Sequence, residues 1–300
     1  MQTRISQSEA AVPTADQGTK KVRSSSKELP TISLRGMPIH VVSKQETVEH
    51  IIDCSLDGEG GWVVTPNLDI LRRYRRNPVF RNLVASSSLN VADGMPLVWA
   101  SRIKGCPVPE RVNGTDLMVD LCEEAAHAGR SVYFLGGNPG TAQKTAEIMK
   151  AENPELEVAG FSCPDFGFES DIDTLEDILV ELETIKPDIV FVGLGSPKQD
   201  VLINMFRMKL PETWWLGVGV SFSFVSGEVQ RAPAWAKTSG FEWLFRLLAE
   251  PKRLAKRYVI QGMPFLFTTF VVCFYEQLTG VGRNKNNSEF KQQYIPGTDG

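Results

Sequence analysis

Apolar residues recur along this chain in two different patterns. Short runs such as Gly61–Thr65 (GWVVT), Ser131–Leu135 (SVYFL) and Asp188–Val192 (DIVFV) are almost continuously apolar, as strands buried on both faces are. Pro38–Val42, Leu89–Ala92, Leu156–Gly160 and Trp214–Val218 are further strand segments. Between them lie stretches with helical spacing: Lys44–Leu56, Pro66–Arg76, Gly94–Ile103, Thr115–Ala128, Thr141–Ala151, Asp173–Ile185 and Gln199–Met208. Strands that alternate with helices of roughly ten to fifteen residues predict an α/β fold. Its sheet should be mostly parallel and Rossmann-like, with helices on both faces.

The two ends depart from this pattern. Residues 1–31 are rich in Ser, Thr, Gln, Lys and Ala and lack the apolar stretch of a signal peptide, so they read as a disordered leader. The α/β core is expected over 32–240, beginning near Ile32–Arg35. Residues 241–280 form a basic and apolar appendage, in which Arg246, Lys252, Arg253, Lys256 and Arg257 adjoin Trp243, Leu244, Phe245 and Leu254. The apolar run Tyr258–Leu278 is punctuated by Gln261, Gly262 and Pro264. It reads as an interrupted amphipathic surface helix rather than a membrane span. A helix packed on the sheet with a solvated basic face is the alternative. Residues 281–300 are polar and read as a disordered tail.

Composition narrows the function. The 300 residues are 42% hydrophobic and 23% charged, enough for a sizeable core, and the net charge of −4 argues against a nucleic-acid partner. Five scattered cysteines form no C-x-x-C pair, and three histidines show no metal-ligand spacing. Asp171-Ile172-Asp173 could suggest a metal triplet, but it lies just before an amphipathic helix, where acids serve as caps. No metal or cofactor is expected.

The candidate chemistry sits at strand ends. Asp93-Gly94 follows the strand at Leu89, and Glu110-Arg111 wait in the next loop, the side of an open α/β sheet where reactive groups belong. The plain reading of the same residues is a turn and a surface charge. Gly136–Gly140 and Gly193–Lys198 each lead from a strand into a helix, where small residues and free N–H groups suit a phosphate. The second loop adds Lys198 and Gln199. It is not a dinucleotide fingerprint, since Lys198 stands where the third glycine would fall. Val218-Gly219-Val220 is a third small-residue loop. Each of these also suits a tight structural connection.

Taken together and in order, several motifs resemble the WecG/TagA/CpsF family of glycosyltransferases (glycosyltransferase family 26). They are Thr65-Pro66-Asn67, Ala92-Asp93-Gly94-Met95, Pro109-Glu110-Arg111-Val112-Asn113-Gly114, Phe134-Leu135-Gly136-Gly137, Gly193-Leu194-Gly195-Ser196-Pro197-Lys198-Gln199, Gly217-Val218-Gly219, Arg231-Ala232-Pro233 and Glu242–Arg253. One departure is Asp200, where Glu is commoner. The resemblance covers about Ile32–Phe270.

It implies an inverting, metal-independent transfer from a UDP-sugar, typically UDP-N-acetylmannosamine, to a polyprenyl-diphosphate-linked sugar at the cytoplasmic membrane face. Some relatives pass glucose to a longer lipid-linked chain. Asp93 would be the general base and Thr65 its neighbour at the reacting sugars. Substrate-binding positions would be Asn67, Arg111, Asn113, Gly136, Gly137, Gly195, Pro197, Lys198, Gln199 and Gly219, with Arg246, Arg253 and Arg257 from the appendage. Such a protein would be peripherally associated with the inner face of the plasma membrane, and a homo-oligomer is left open. Two other classes remain: a Rossmann-type NAD-dependent dehydrogenase, weakened by the absent third glycine, and a non-catalytic membrane-associated binding module.

Overall fold

A computed structural model describes residues 29–231, 245, 247–248 and 251–280. The leader up to residue 28, the tail after 280, and Arg246 therefore lie outside the described residues, as does the side chain of Arg253.

The first element is a hairpin, β1 (Thr31–Leu34) with β2 (Met37–His40), and α1 (Lys44–Leu56) follows. The main sheet is built from β3 (Gly61–Val64), β4 (Leu89–Asn90), β5 (Ser131–Gly136), β6 (Glu157–Ser162), β7 (Ile189–Gly193) and β8 (Trp214–Gly217). All six strands are parallel, in the order β4-β3-β8-β7-β5-β6. The connecting helices are α2 (Leu68–Arg76), α3 (Pro78–Val84), α4 (Met95–Ile103), α5 (Gly114–Ala128), α6 (Thr141–Glu152), α7 (Ile172–Ile185), α8 (Lys198–Phe206) and the short α9 (Ser221–Val225). After it come α10 (Pro251–Ala255), a π-helical turn at Lys256–Gly262, and α11 (Met263–Thr279).

The parallel sheet forms because its strands are apolar on both sides. Side chains alternate between faces along a strand. Trp62, Val64, Tyr133, Leu135, Val190, Val192 and Trp215 point into one core, against α2, α3, α4, α7, α8 and the hairpin. Val63, Val132, Phe134, Ile189, Phe191, Trp214 and Leu216 point into the other, against α1, α5, α6 and α9. The β4 edge is blunted by the hairpin, where the Asn90 N–H donates to His40 Nδ1 at 2.9 Å. Burial pushes the His40 imidazole below its ordinary pKa, in keeping with a ring nitrogen that accepts.

Helix starts follow local chemistry. Ser43 and Glu46 form a reciprocal cap on α1, and Asn67, Asn77 and Asn113 cap α2, α3 and α5. Asp171 stands at the N-cap position of α7 and accepts from Thr174 Oγ1 at 2.7 Å, so the Asp-x-Asp triplet belongs to a helix start.

The C-terminal segment differs from its sequence reading. Gln261, Gly262 and Pro264 do not break the helix. The π-helical turn absorbs the irregularity, and Pro264 falls in the first turn of α11, directly after it. The result is a continuous helical stretch, Lys256–Thr279, of 24 residues, whose most apolar 18-residue window has a mean hydropathy of 1.5, long and apolar enough by length and composition to cross a membrane. One face of it docks on the protein: Phe265, Thr269 and Cys273 are buried, and Glu276 pairs with the nearly buried Lys104 at 2.5 Å. The other face exposes Met263, Phe267, Val271, Phe274 and Leu278, spaced four, four, three and four residues apart.

Candidate active site

The six strands are parallel, so their carboxyl ends lie along one edge of the sheet. Chain connections leave β5 toward the β6 edge and leave β7 toward β8, so the strand order reverses between β5 and β7. Ligands of open α/β sheets bind at such a reversal. The two glycine loops flank it, joined by the Gly137 N–H donating to Gly193 O at 3.0 Å. Gly137 has φ +90°, and a methyl there would come within 2.4 Å of Thr141 Oγ1 and 3.1 Å of the Phe222 ring. Only glycine keeps this turn.

The β7–α8 loop is held from below by Gln199. Its Oε1 accepts from the Gly195 N–H at 2.9 Å and the Gly219 N–H at 3.0 Å, stapling two neighbouring loops together. This buried amide packs so closely that a methyl on Gly217 would lie 2.3 Å from its Nε2. Gln199 therefore shapes the loops rather than reaching out of them. The Ser196-Pro197 peptide is cis. Lys198 opens α8 and pairs with Glu169, in the 3-10 turn Phe168–Ser170, so the loop's cation already meets an anion. That contact holds the Glu169 carboxyl below its ordinary range. Ser196 donates to the buried Asp200 at 2.5 Å.

On the other side of the sheet stands the acid. The Asp93 N–H donates to Pro66 O at 2.9 Å, fixing the β4 loop against the β3 loop. The Asn113 amide donates to Asp93 Oδ1 at 3.2 Å, while Asn113 Oδ1 caps α5 through Thr115 N–H (2.9 Å). One side chain thus fixes both the helix and the carboxylate. Arg231 Nη2 donates to Asn113 Oδ1 at 3.3 Å, and Arg231 Nη1 pairs with Asp116 at 2.8 Å. Sequence reasoning quoted Arg231 within a motif but gave it no place at the site. Thr65 is nearly buried at the end of β3, where a methyl on Gly114 would lie 3.6 Å from its Oγ1 and 3.8 Å from Val218 Cα. Three strand-end segments meet there.

Asn67 has a capping task, its Oδ1 accepting from Asp69 and Ile70 N–H groups at 3.0 and 3.1 Å. Arg111 lies half-buried in the loop that Val112 ties to β4 through Ala92 O (2.9 Å). Arg257, on the π-helical turn, pairs with Asp69 Oδ2 at 3.2 Å, which sets the C-terminal segment at the start of α2, beside this loop cluster. The structure so gathers Thr65, Asn67, Asp93, Asn113 and Arg257 on one side, and Gly136, Gly137, Gly195, Pro197, Lys198, Gln199 and Gly219 on the other.

The model of the glycosyl transferase WecG/TagA/CpsF family matches residues 32–277. The chain belongs to this family. It is a glycosyltransferase. It is also 32% identical, over 207 residues, to the N-acetylglucosaminyldiphosphoundecaprenol N-acetyl-beta-D-mannosaminyltransferase of Bacillus spizizenii. The match covers 69% of this chain and 78% of that protein. The matched span runs from the hairpin into α11.

Proposed function

We propose that this glycosyltransferase moves N-acetylmannosamine from a UDP-sugar to a polyprenyl-diphosphate-linked sugar, with inversion and without a metal. The acceptor class and the sugar are supported by the name of the Bacillus spizizenii relative. The observation that carries the chemistry is a carboxylate, Asp93, held by the Asn113 amide after β4, at the same edge of the sheet as the two glycine loops that follow β5 and β7. A sugar hydroxyl attacks well only as its proton leaves, and a carboxylate in reach removes it. The acceptor oxygen then forms its bond to the anomeric carbon while the bond to the UDP oxygen breaks. The electron pair departs with UDP, and the proton stays on Asp93. One displacement inverts the centre and needs no protein nucleophile.

Charge grows on the departing diphosphate. In this reading the start of α8, Lys198 and Arg111 supply the positive charge that stabilises it, so that no metal is needed. Lys198 must exchange Glu169 for phosphate to do so. The exposed stripe of α11 supports peripheral attachment to the inner face of the membrane, where a lipid-linked acceptor lies. A donor screen on lipid-diphosphate acceptors, with the product linkage determined, tests this reading. Transfer of N-acetylmannosamine with an inverted linkage and undiminished by chelator is expected. Transfer from another donor only, or loss with chelator and rescue by Mg or Mn, overturns it. A UDP-glucose-type transfer to a longer lipid-linked intermediate is the second outcome of the same screen.

A further inference from the structure

The C-terminal turn and the donor loop are connected by a chain of charged groups that runs through Asp69. Asp69 lies in the first turn of α2, with its side chain 12% exposed. Its Oδ1 accepts from Arg72 Nη2 at 2.8 Å. Its Oδ2 faces Arg257 Nε at 3.2 Å and Arg73 Nη2 at 3.6 Å. Arg73 also donates through Nη1 to Ser196 Oγ at 3.0 Å, in the β7–α8 loop. Ser196 in turn donates a hydrogen bond from its hydroxyl to the buried Asp200 at 2.5 Å. The path from Arg257 to Asp200 thus spans the C-terminal turn, α2 and the donor loop.

Three guanidinium groups share one carboxylate here. Without it they would repel one another in a half-buried place, and Arg257, which alone of the three lies outside α2, would be the one to move. Exposed ion pairs contribute little, but a shielded network with several partners is another matter. Arg73 is what makes the network more than a local anchor, because the guanidinium that holds Ser196 is the one that faces Asp69.

We propose that Asp69 is a positioning residue for the transfer: it seats Arg257 against α2 and, through Arg73 and Ser196, couples the seating of the C-terminal turn to occupation of the donor loop. The coupling is reciprocal, since a ligand that favours one arrangement of Ser196 and Arg73 favours the matching arrangement of Arg257. This rests on the reading that the β7–α8 loop binds UDP.

Amide hydrogen exchange on the full chain, with and without saturating UDP, tests it. UDP should slow exchange in the β7–α8 loop and also at residues 256–262. In Asp69→Asn the loop should still be protected while protection at 256–262 is lost. Asp69→Glu should restore it. Arg257→Gln, which leaves α2 untouched, should lose it in the same way. In turnover, Asp69→Asn should lower kcat/KM for the lipid-linked acceptor about ten- to a hundredfold, as misplacement by a remote change does. Asp69→Asn and Arg257→Gln combined should cost no more than the larger single effect. Loop protection without any effect at 256–262 in the parent, or protection there that survives Asp69→Asn, overturns the coupling. So do single effects that multiply. Absence of UDP protection anywhere, with no rise in Tm on adding UDP, instead overturns the nucleotide reading on which the coupling stands.

Discussion

Asn113 donates its amide to Asp93 at 3.2 Å while its carbonyl caps α5. The two functions can be separated by one substitution. Asn113→Asp keeps an oxygen for the cap and gains a charge beside Arg231, so the fold should hold. It removes the donor to Asp93 and puts a second carboxylate beside it, which raises the apparent pKa of the base. The acid limb of the pH–rate profile should therefore move to higher pH, with Tm within a few degrees of the parent. An unshifted acid limb would show that this hydrogen bond does not tune the base.

Asp200 gives a pH dependence of stability. Burial pushes its carboxyl up to about 6, against the opposing effects of the Ser196 hydroxyl and Arg73. A folded pKa above the unfolded value means that the folded state binds more protons between roughly pH 4 and 6. The contribution is full below pH 4 and lost as pH rises through 6. By linkage, the shift is worth on the order of 3 kcal/mol at most. Asp200→Asn retains an acceptor for Ser196 and should flatten this dependence, so its Tm relative to the parent rises between pH 4.5 and 7.5, values chosen to lie about either side of the transition. A constant difference in Tm across that range would contradict the assignment.

The staple at Gln199 can be tested from its neighbour. Gly217→Ala places a methyl 2.3 Å from the Gln199 amide. The amide must leave, and the Gly195 and Gly219 N–H groups lose their shared acceptor. A cost of about 1–3 kcal/mol in denaturant unfolding is expected from overpacking. The UDP-induced rise in Tm should shrink as well. If UDP binding is intact, the loops do not depend on this staple.

The exposed face of α11 should govern membrane association. Phe267 and Phe274 are 70% and 57% exposed and lie on the stripe opposite the buried Phe265 and Cys273. Phe267→Asp with Phe274→Asp should leave the Tm nearly unchanged, because neither ring is packed. Co-sedimentation with anionic vesicles should fall sharply. Undiminished sedimentation would place the membrane contact elsewhere.

The sheet was readable because β5 and β7 are buried on both faces, which leaves runs such as SVYFL and DIVFV unbroken. That Asp93 and the two glycine loops follow strand ends was readable because each comes directly after an apolar run. Other features were harder to read. α3 is a helix of 7 residues whose Asn77-Pro78 start also suits a turn, and the hairpin's β1 has only four residues. Gly262 and Pro264 read as breaks because sequence cannot show a π-helical turn absorbing them. The roles of Gln199 and Asp69 depend on partners far along the chain: Gly219 lies 20 residues from Gln199, and Ser196 lies 123 from Arg73. Periodicity carries no trace of such pairs.

The central claim is that Asp93 takes the acceptor's proton. Single-turnover transfer by Asp93→Asn, measured beside the UDP-induced rise in Tm, tests it most directly. An amide of the same shape should keep the fold and UDP binding. The transfer rate should fall by about 10²–10⁴-fold, the usual contribution of a general base. Transfer at close to the parent rate, with UDP bound as before, would show that another group takes the proton.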